Sequence, residues 1–340
     1  AQPLARRARV SIAPMWIARL AAAALVAAVF FAPTARAQSP YAVTIVDQLW
    51  HDDNRNRDIP VRIRVPQPRN ANERFPIILF SHGLGGNREA GERWGEYWAA
   101  NGYYVIHVQH RGSDEELWKA LEDRVAILKA LTSAANVSQL IERVFDVQFV
   151  LNEAPGHSEF ARADFSRIGM SGHAFGAYTT QALVGQKVAL RMAPRLIEPR
   201  IKAAIAFSPS VRNRVDAESQ FEEVTVPFMS VTGTLDGEES SIDFSPDERT
   251  RPFYALPPGQ KYLLVFQNGD HAVFAGRAQP LLDRKRAPEA VEADARIVRA
   301  GQILTLAFWD AYLKGNPNAE RWLVTQSRRV LGAKDRFERR

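Results

Sequence analysis

The chain has 340 residues, of which 46% are hydrophobic and 24% are charged, a composition typical of a folded globular protein with a large core. Its formal net charge of +6 is concentrated at the start, where the first 37 residues hold five arginines and no acidic residue. The remaining residues carry 39 basic and 38 acidic side chains. This near balance argues against a nucleic-acid-binding protein. The absence of cysteine excludes disulfides and a thiol nucleophile.

Residues 1–37 have the pattern of an export signal. Arginines come first, an apolar run follows at 20–32, and Ala35-Arg36-Ala37 provides a small-residue cleavage site. The apolar run is shorter than the roughly 20 residues that a helix needs to span a bilayer. We therefore predict a cleaved signal peptide, a mature chain from residue 38 with no stable membrane anchor, and a periplasmic or secreted location. A retained anchor is the alternative.

Short apolar or alternating segments predict strands along the rest of the chain. Residues 43–50 and 60–65 flank a polar turn, and Val61, Ile63 and Val65 alternate with arginines, so the two segments predict a β-hairpin. Apolar runs bounded by glycine indicate strands buried on both faces of a parallel sheet. These runs lie at 75–80, 103–108, 168–171, 203–207, 228–232 and 262–266, the last being the final predicted strand.

Helical patterns alternate with these strands. Residues 115–153 are charged and helix-favouring, residues 177–184 predict a second helix, and residues 288–313 a third that ends before Gly315. Such alternation predicts an α/β fold with a mostly parallel central sheet flanked by helices. We predict one domain over residues 38–340, with helical insertions near 112–153 and 185–199, and a polar loop at 237–259.

The turn between the strand at 168–171 and the following helix has the form Gly-x-Ala-x-Gly at residues 172–176. Flanking glycines permit a tight strand–helix turn without clashes of Cβ atoms. With serine at position 174 this would be the Gly-x-Ser-x-Gly turn that exposes the nucleophile of many serine hydrolases. The sequence has Ala174 instead, and alanine has no lone pair with which to attack a carbonyl carbon.

Two further residues complete the chain order nucleophile, acid, histidine. Asp236 follows the strand at 228–232 and is the predicted orienting acid, although Asp-Gly is also a common turn dipeptide. His271 follows the last predicted strand and is the predicted general base. Asp270 is adjacent to that histidine in sequence, which directs its side chain elsewhere. Asp243 and Asp247 are weaker candidates because no predicted strand delivers them.

The glycine-rich segment at residues 82–86 predicts an oxyanion hole. Its backbone N–H groups can face a pocket, and we predict Leu84 and Phe175, directly after position 174, as the two donors. His110 leaves a strand end and is a candidate substrate-binding residue. We find no metal-ligand spacing such as His-Glu-x-x-His and no nucleotide-binding glycine motif, so no metal or cofactor is predicted.

Several motifs in order resemble one family. The chain resembles the dienelactone-hydrolase-like and platelet-activating-factor-acetylhydrolase-like bacterial branch of the α/β-hydrolases. The matching stretches are residues 53–61, 80–86, 108–114, 172–176, 270–271 and 308–313. The resemblance implies an α/β-hydrolase fold and cofactor-free hydrolysis of a small carboxylic ester or lactone through an acyl-serine. In the acetylhydrolases proper the acid follows the preceding strand, where this chain has Ser208, so Asp236 is preferred.

Three interpretations of Ala174 stay open. The chain is an esterase whose nucleophile has been replaced, and is then inactive or severely impaired. Alternatively, it is a natural pseudoenzyme that binds an ester or a partner without catalysis. In the third interpretation another residue supplies the nucleophile. Ser171 is the nearest hydroxyl, but it lies within the predicted strand, three residues before the turn.

Overall fold

The computed structural model describes residues 39–188, 196–211, 216–237, 245–277 and 286–340. The predicted signal peptide lies outside these residues, and so do parts of the predicted insertion at 185–199 and of the loop at 237–259. The strands of the described residues are β1 (Val43–Asp52), β2 (Arg57–Pro66), β3 (Phe75–Ser81), β4 (Tyr104–Val108), β5 (Ala163–His173), β6 (Ile201–Phe207), β7 (Phe228–Leu235), β8 (Lys261–Asp270) and β9 (Arg336–Arg339).

The helices alternate with the strands, as predicted. Within the same described ranges they are α1 (Glu92–Ala100), α2 (Arg124–Ala134), α3 (Val137–Glu153), α4 (Phe175–Leu183), α5 (Ala217–Phe221), α6 (Arg251–Ala255), α7 (His271–Phe274), α8 (Pro288–Tyr312) and α9 (Pro317–Thr325). The helix-favouring stretch at 115–153 is divided into α2 and α3. Asn136 caps α3, and its side chain accepts a hydrogen bond from the backbone N–H of Gln139 at 2.9 Å.

One mixed sheet runs through the described residues in the order β1-β2-β4-β3-β5-β6-β7-β8-β9. The strands from β4 through β3 to β8 pair in parallel, whereas β1 and β2 form the predicted antiparallel hairpin at one edge. The fold prediction of a mostly parallel sheet flanked by helices is confirmed. The expectation that the strand at 262–266 is the last one is wrong, because β9 pairs antiparallel with β8 at the other edge.

Apolar side chains cover both faces of the sheet. On β3, Ile77 and Leu79 belong to one buried cluster, and Ile78 and Phe80 belong to the other. The first cluster is completed by side chains of α3 and α4, and the second by side chains of α1 and α8. Burial on both faces explains why the parallel strands have continuous apolar sequences instead of alternating ones.

The strand directions bring the predicted site residues to one edge. In an open parallel sheet, ligands bind outside the carboxyl ends of the strands. Each of the strands β3 to β8 is followed, within two residues of its end, by one residue considered in the sequence analysis. In strand order these are residues 82, 110, 174, 208, 236 and 271. None of the helices in the described residues is long and apolar enough to cross a membrane.

Candidate active site

The turn at Ala174 has a backbone that is unusual for alanine. Its φ is 51° and its ψ is −109°, a region that side-chain-bearing residues rarely occupy because it strains the backbone. The Ala174 N–H donates a hydrogen bond to the carbonyl of Phe207 at 3.0 Å, and the residue is partly exposed. A sharp, strained strand–helix turn of this kind is the geometry that exposes a nucleophile.

Gly172 and Gly176 are required by close backbone packing around this turn. A Cβ atom built on Gly172 would overlap the carbonyl of Gly176, and one built on Gly176 would overlap the carbonyl oxygen of Ser81. The start of α4 therefore touches the end of β3, backbone against backbone. The predicted pattern of two glycines thus has a physical reason at both positions.

His271 and Asp236, predicted as base and acid, are hydrogen bonded to each other. The Nδ1 atom of His271 lies 2.8 Å from Oδ1 of Asp236. The carboxylate is fully buried, and its Oδ2 accepts a second hydrogen bond from the hydroxyl of Thr232 at 2.7 Å. A carboxylate that accepts the Nδ1–H fixes the tautomer in which Nε2 can take a proton. The His271 side chain is 15% exposed, so its ring can reach a ligand.

His173 supports the base from within the turn. Its ring packs against that of His271 with centroids 4.4 Å apart, and its Nε2–H donates to the His271 carbonyl at 3.1 Å. Burial, and then the charge of a protonated His271, lowers the pKa of His173 well below its ordinary value. His173 is therefore neutral and adds no competing positive charge when its neighbour takes up a proton.

Phe175 directly follows Ala174 in the chain, and the loop that carries Leu84 approaches Ala174 through Gly83. A Cβ built on Gly83 would lie 3.7 Å from the Cβ of Ala174, so the residue before Leu84 abuts the turn. Within the described residues the Leu84 N–H donates no hydrogen bond, and Leu84 is only partly buried. Phe175 is the first residue of α4, where the helix dipole favours negative charge. The role of these two N–H groups as an oxyanion hole beside position 174 stays a prediction.

His110, the candidate substrate-binding residue, is fully buried and has a different role in the structure. Its Nε2 accepts a hydrogen bond from the hydroxyl of Ser81 at 2.9 Å, and its Nδ1–H donates to Asp146 at 3.0 Å. Both ring nitrogens are occupied, so the ring has no free polar atom for a substrate. The expected direct contact between His110 and a substrate is wrong, because the side chain points into the protein from the end of β4.

The alternative residues are engaged elsewhere or buried. Asp270 caps α7 through the backbone N–H of Val273 and accepts two hydrogen bonds from Arg286. Ser208 is fully buried, and its hydroxyl has no hydrogen-bond partner within the described residues. Ser171 is fully buried within β5, which prevents access to a substrate. Asp243 lies outside the described residues.

Two buried arginines near the site were not predicted from the sequence. Arg249 bonds to the carbonyls of Asp236 and Ser208, at 3.3 and 3.0 Å. Arg143, on α3, bonds to the carbonyl of His82 at 2.6 Å. The signal that could have found Arg143 is its position within an apolar helical face, three residues after Leu140, since a charged residue there needs buried partners.

One segment of the chain matches the model of a known protein family. Residues 56–126 match the family described as platelet-activating factor acetylhydrolase, isoform II. This segment includes the loop at 82–86 and His110, but it ends before Ala174. No curated protein matches the chain significantly, and no group of three or more metal-ligating side chains is found among the described residues. The match supports a relationship to the platelet-activating-factor-acetylhydrolase-like branch, and the mostly parallel sheet flanked by helices is consistent with an α/β-hydrolase fold.

Proposed function

We propose that this fold carries the site of a serine-type hydrolase of small carboxylic esters or lactones, with position 174 as the nucleophile position. His271 is the general base, Asp236 orients it, and the N–H groups of Leu84 and Phe175 form the oxyanion hole. The observation that carries the proposal is the 2.8 Å hydrogen bond between His271 and Asp236 at the same sheet edge as the strained turn of Ala174.

With serine at 174, the reaction follows the two-step acyl-enzyme course. The serine oxygen attacks the ester carbonyl carbon while its proton moves to Nε2 of His271. The carbonyl oxygen becomes the oxyanion that Leu84 and Phe175 stabilise. The alcohol then leaves with the proton from His271, and a water molecule, activated by the same histidine, releases the acid. No metal or cofactor enters these steps.

With Ala174 the first step has no nucleophile, and we propose that this chain is inactive or severely impaired. A replaced nucleophile and a natural pseudoenzyme both fit this chemistry. A residual acceleration of roughly 10³- to 10⁴-fold over water can remain from an oxyanion hole and substrate binding. In that residual route His271 takes a proton from water, which attacks the ester directly.

The test is the Ala174→Ser variant. We expect it to hydrolyse a short-chain aryl ester at least about 10²-fold faster than the parent chain and to be labelled at position 174 by a fluorophosphonate probe. The matched control adds His271→Ala, which should remove both the rate and the labelling. A folded Ala174→Ser protein that neither turns over esters nor reacts with the probe would favour the second candidate, a non-catalytic ester- or partner-binding protein.

We further propose that residues 1–37 direct export and are removed. The support is their sequence pattern of arginines, an apolar run and a small-residue cleavage site. Expression of the full sequence in a bacterial host, followed by fractionation and N-terminal sequencing, tests this. The expected product is periplasmic or secreted and begins at Gln38. A product that keeps the leader and sediments with membranes would instead indicate a retained anchor.

A further inference from the structure

Arg143 contacts both segments of the chain that carry the proposed oxyanion-hole donors. The side chain is fully buried. Its guanidinium donates to the carbonyl of His82 at 2.6 Å and to that of Gly83 at 3.4 Å. It also bonds to the hydroxyl and the carbonyl of Ser113, at 2.8 and 3.2 Å. The same group lies over the ring of Phe175, 4.4 Å from its centroid. One cation on α3 therefore links the loop at 82–86 to the start of α4.

The contacts to Gly83 fix the direction of the Leu84 N–H. In a trans peptide unit the carbonyl and the N–H point in opposite directions. The Gly83 carbonyl accepts hydrogen bonds from Nδ1–H of His82 at 2.6 Å and from the N–H of Gly86 at 3.1 Å, besides that from Arg143. Three donors therefore hold the carbonyl on one side, and the Leu84 N–H is directed to the other side.

A buried chain of hydrogen bonds supports the same loop. Ser81, His110 and Asp146 are joined by contacts of 2.9 and 3.0 Å, and all three side chains are fully buried. The backbone N–H of His110 donates to Nε2 of His82 at 2.9 Å. Because Nε2 accepts, Nδ1 of His82 carries the proton that bonds to Gly83. This Ser-His-Asp chain is closed to substrate, and its effect is to orient the His82 ring.

We propose that Arg143 is a positioning residue of the oxyanion hole. It directs the Leu84 N–H and holds Phe175 in place. This proposal rests on the proposed function. A guanidinium is suited to this because its planar fork can bond to several carbonyl oxygens at once. Lysine keeps the charge but loses the fork, so it should restore only part of the function.

The kinetic test uses the Ala174→Ser protein with Arg143→Met or Arg143→Lys. Removing one oxyanion-hole donor costs about 10² to 10³ in kcat, so we expect Arg143→Met to lower kcat about 10²-fold with little change in KM. Arg143→Lys should lower kcat about tenfold. Arg64→Met is the matched control, because Arg64 is also fully buried but lies near Glu96 of α1. A folded Arg143→Met variant with unchanged kcat overturns the proposal.

A second measurement keeps the two proposals distinguishable. Hydrogen exchange is followed in the parent Ala174 chain at the N–H groups of Gly85 and Gly86, which bond to the carbonyls of Ser113 and Gly83 at 2.9 and 3.1 Å. We expect exchange to be at least about tenfold faster in Arg143→Met or, should that variant not fold, in Arg143→Lys, but unchanged in Arg64→Met. Unchanged exchange in the Arg143 variants overturns the positioning role. An inactive Ala174→Ser protein with faster loop exchange would refute the proposed function alone.

Discussion

The imidazole of His271 and the carboxylate of Asp236 are joined at 2.8 Å although the two residues are 35 positions apart in the sequence. The contact forms because β7 and β8 are parallel neighbours and deliver both residues at the same edge of the sheet. The carboxylate is fully buried, and the Nε of the buried Arg249 lies 3.8 Å from the same Oδ1 atom that contacts the ring. This pair is the most direct structural support for acid–base chemistry at the edge.

We predict that Asp236→Asn lowers kcat of the Ala174→Ser protein by about 10⁴-fold. An amide can donate where the carboxylate accepted, which favours the wrong tautomer of His271 while the fold is kept. The measurement is kcat for an aryl ester, accompanied by the thermal unfolding midpoint to show that the variant is folded.

The neighbouring acid provides the control for that prediction. Asp270→Asn weakens the cap of α7 and the ion pair with Arg286, whose Nε lies 2.7 Å from Oδ2 of Asp270. Its expected effect is a lower stability of about 1 kcal/mol with kcat within about tenfold. Should Asp270→Asn lose more rate than Asp236→Asn, the acid would have been assigned to the wrong residue.

We predict that Ala174→Gly stabilises the fold by about 1 kcal/mol. A non-glycine residue at this φ and ψ stores about 1–3 kcal/mol of strain, whereas the greater freedom of glycine in the unfolded chain costs about 0.5–1 kcal/mol. Urea unfolding measures the difference. The control is Ala295→Gly, at an exposed position within α8, which should lower stability by about 1 kcal/mol. A destabilised Ala174→Gly protein would show that the turn is not strained.

We predict that the free energy of unfolding falls as the pH drops from 6.5 to about 4. Burial lowers the pKa of His110 from 6.5 to about 4, and this effect outweighs the opposing pull of Asp146. Between these values the unfolded chain binds a proton that the folded chain does not, so the stability present above pH 6.5 is lost progressively on acidification. One such group accounts for about 3 kcal/mol. Three other buried histidines have pKa values lowered in the same direction: His82, His107 and His173.

The pH prediction is checked by the free energy of unfolding between pH 4 and 7. His110→Gln cannot titrate, so its stability should vary less steeply with pH than that of the parent, whatever its absolute value. Identical slopes for His110→Gln and the parent would mean that His110 is not held neutral by burial.

Most of the fold could be predicted from the sequence, because parallel strands buried on both faces produce apolar runs that end at glycine or polar residues. The edge strand β9 could not be predicted, because Arg336–Arg339 has a single apolar residue. Only its pairing with β8 makes this segment a strand. The division of the stretch at 115–153 depended on one cap, Asn136, whose role emerges only from the backbone around it.

The residues of the candidate site could also be predicted from the sequence, but only in part. The order of Ala174, Asp236 and His271 along the chain is a local signal at strand ends, so all three could be proposed from the sequence. The inward direction of His110 and the contacts of Arg143 depend on packing between α3 and two strand ends. No periodicity in one segment contains that information, because each contact joins residues far apart in sequence.

The contact between Gly176 and the carbonyl of Ser81 has a consequence for how this site can change. With no space between the two backbones, the residue at 174 and the oxyanion loop cannot shift independently, so exchanging one small side chain at 174 leaves the surrounding geometry in place. Under the proposed function, ester binding and ester turnover would thereby be separable properties. By that proposal, the alanine protein would be a host in which an intact ester could be studied bound, and its serine variant would be the same host in which that ester is consumed.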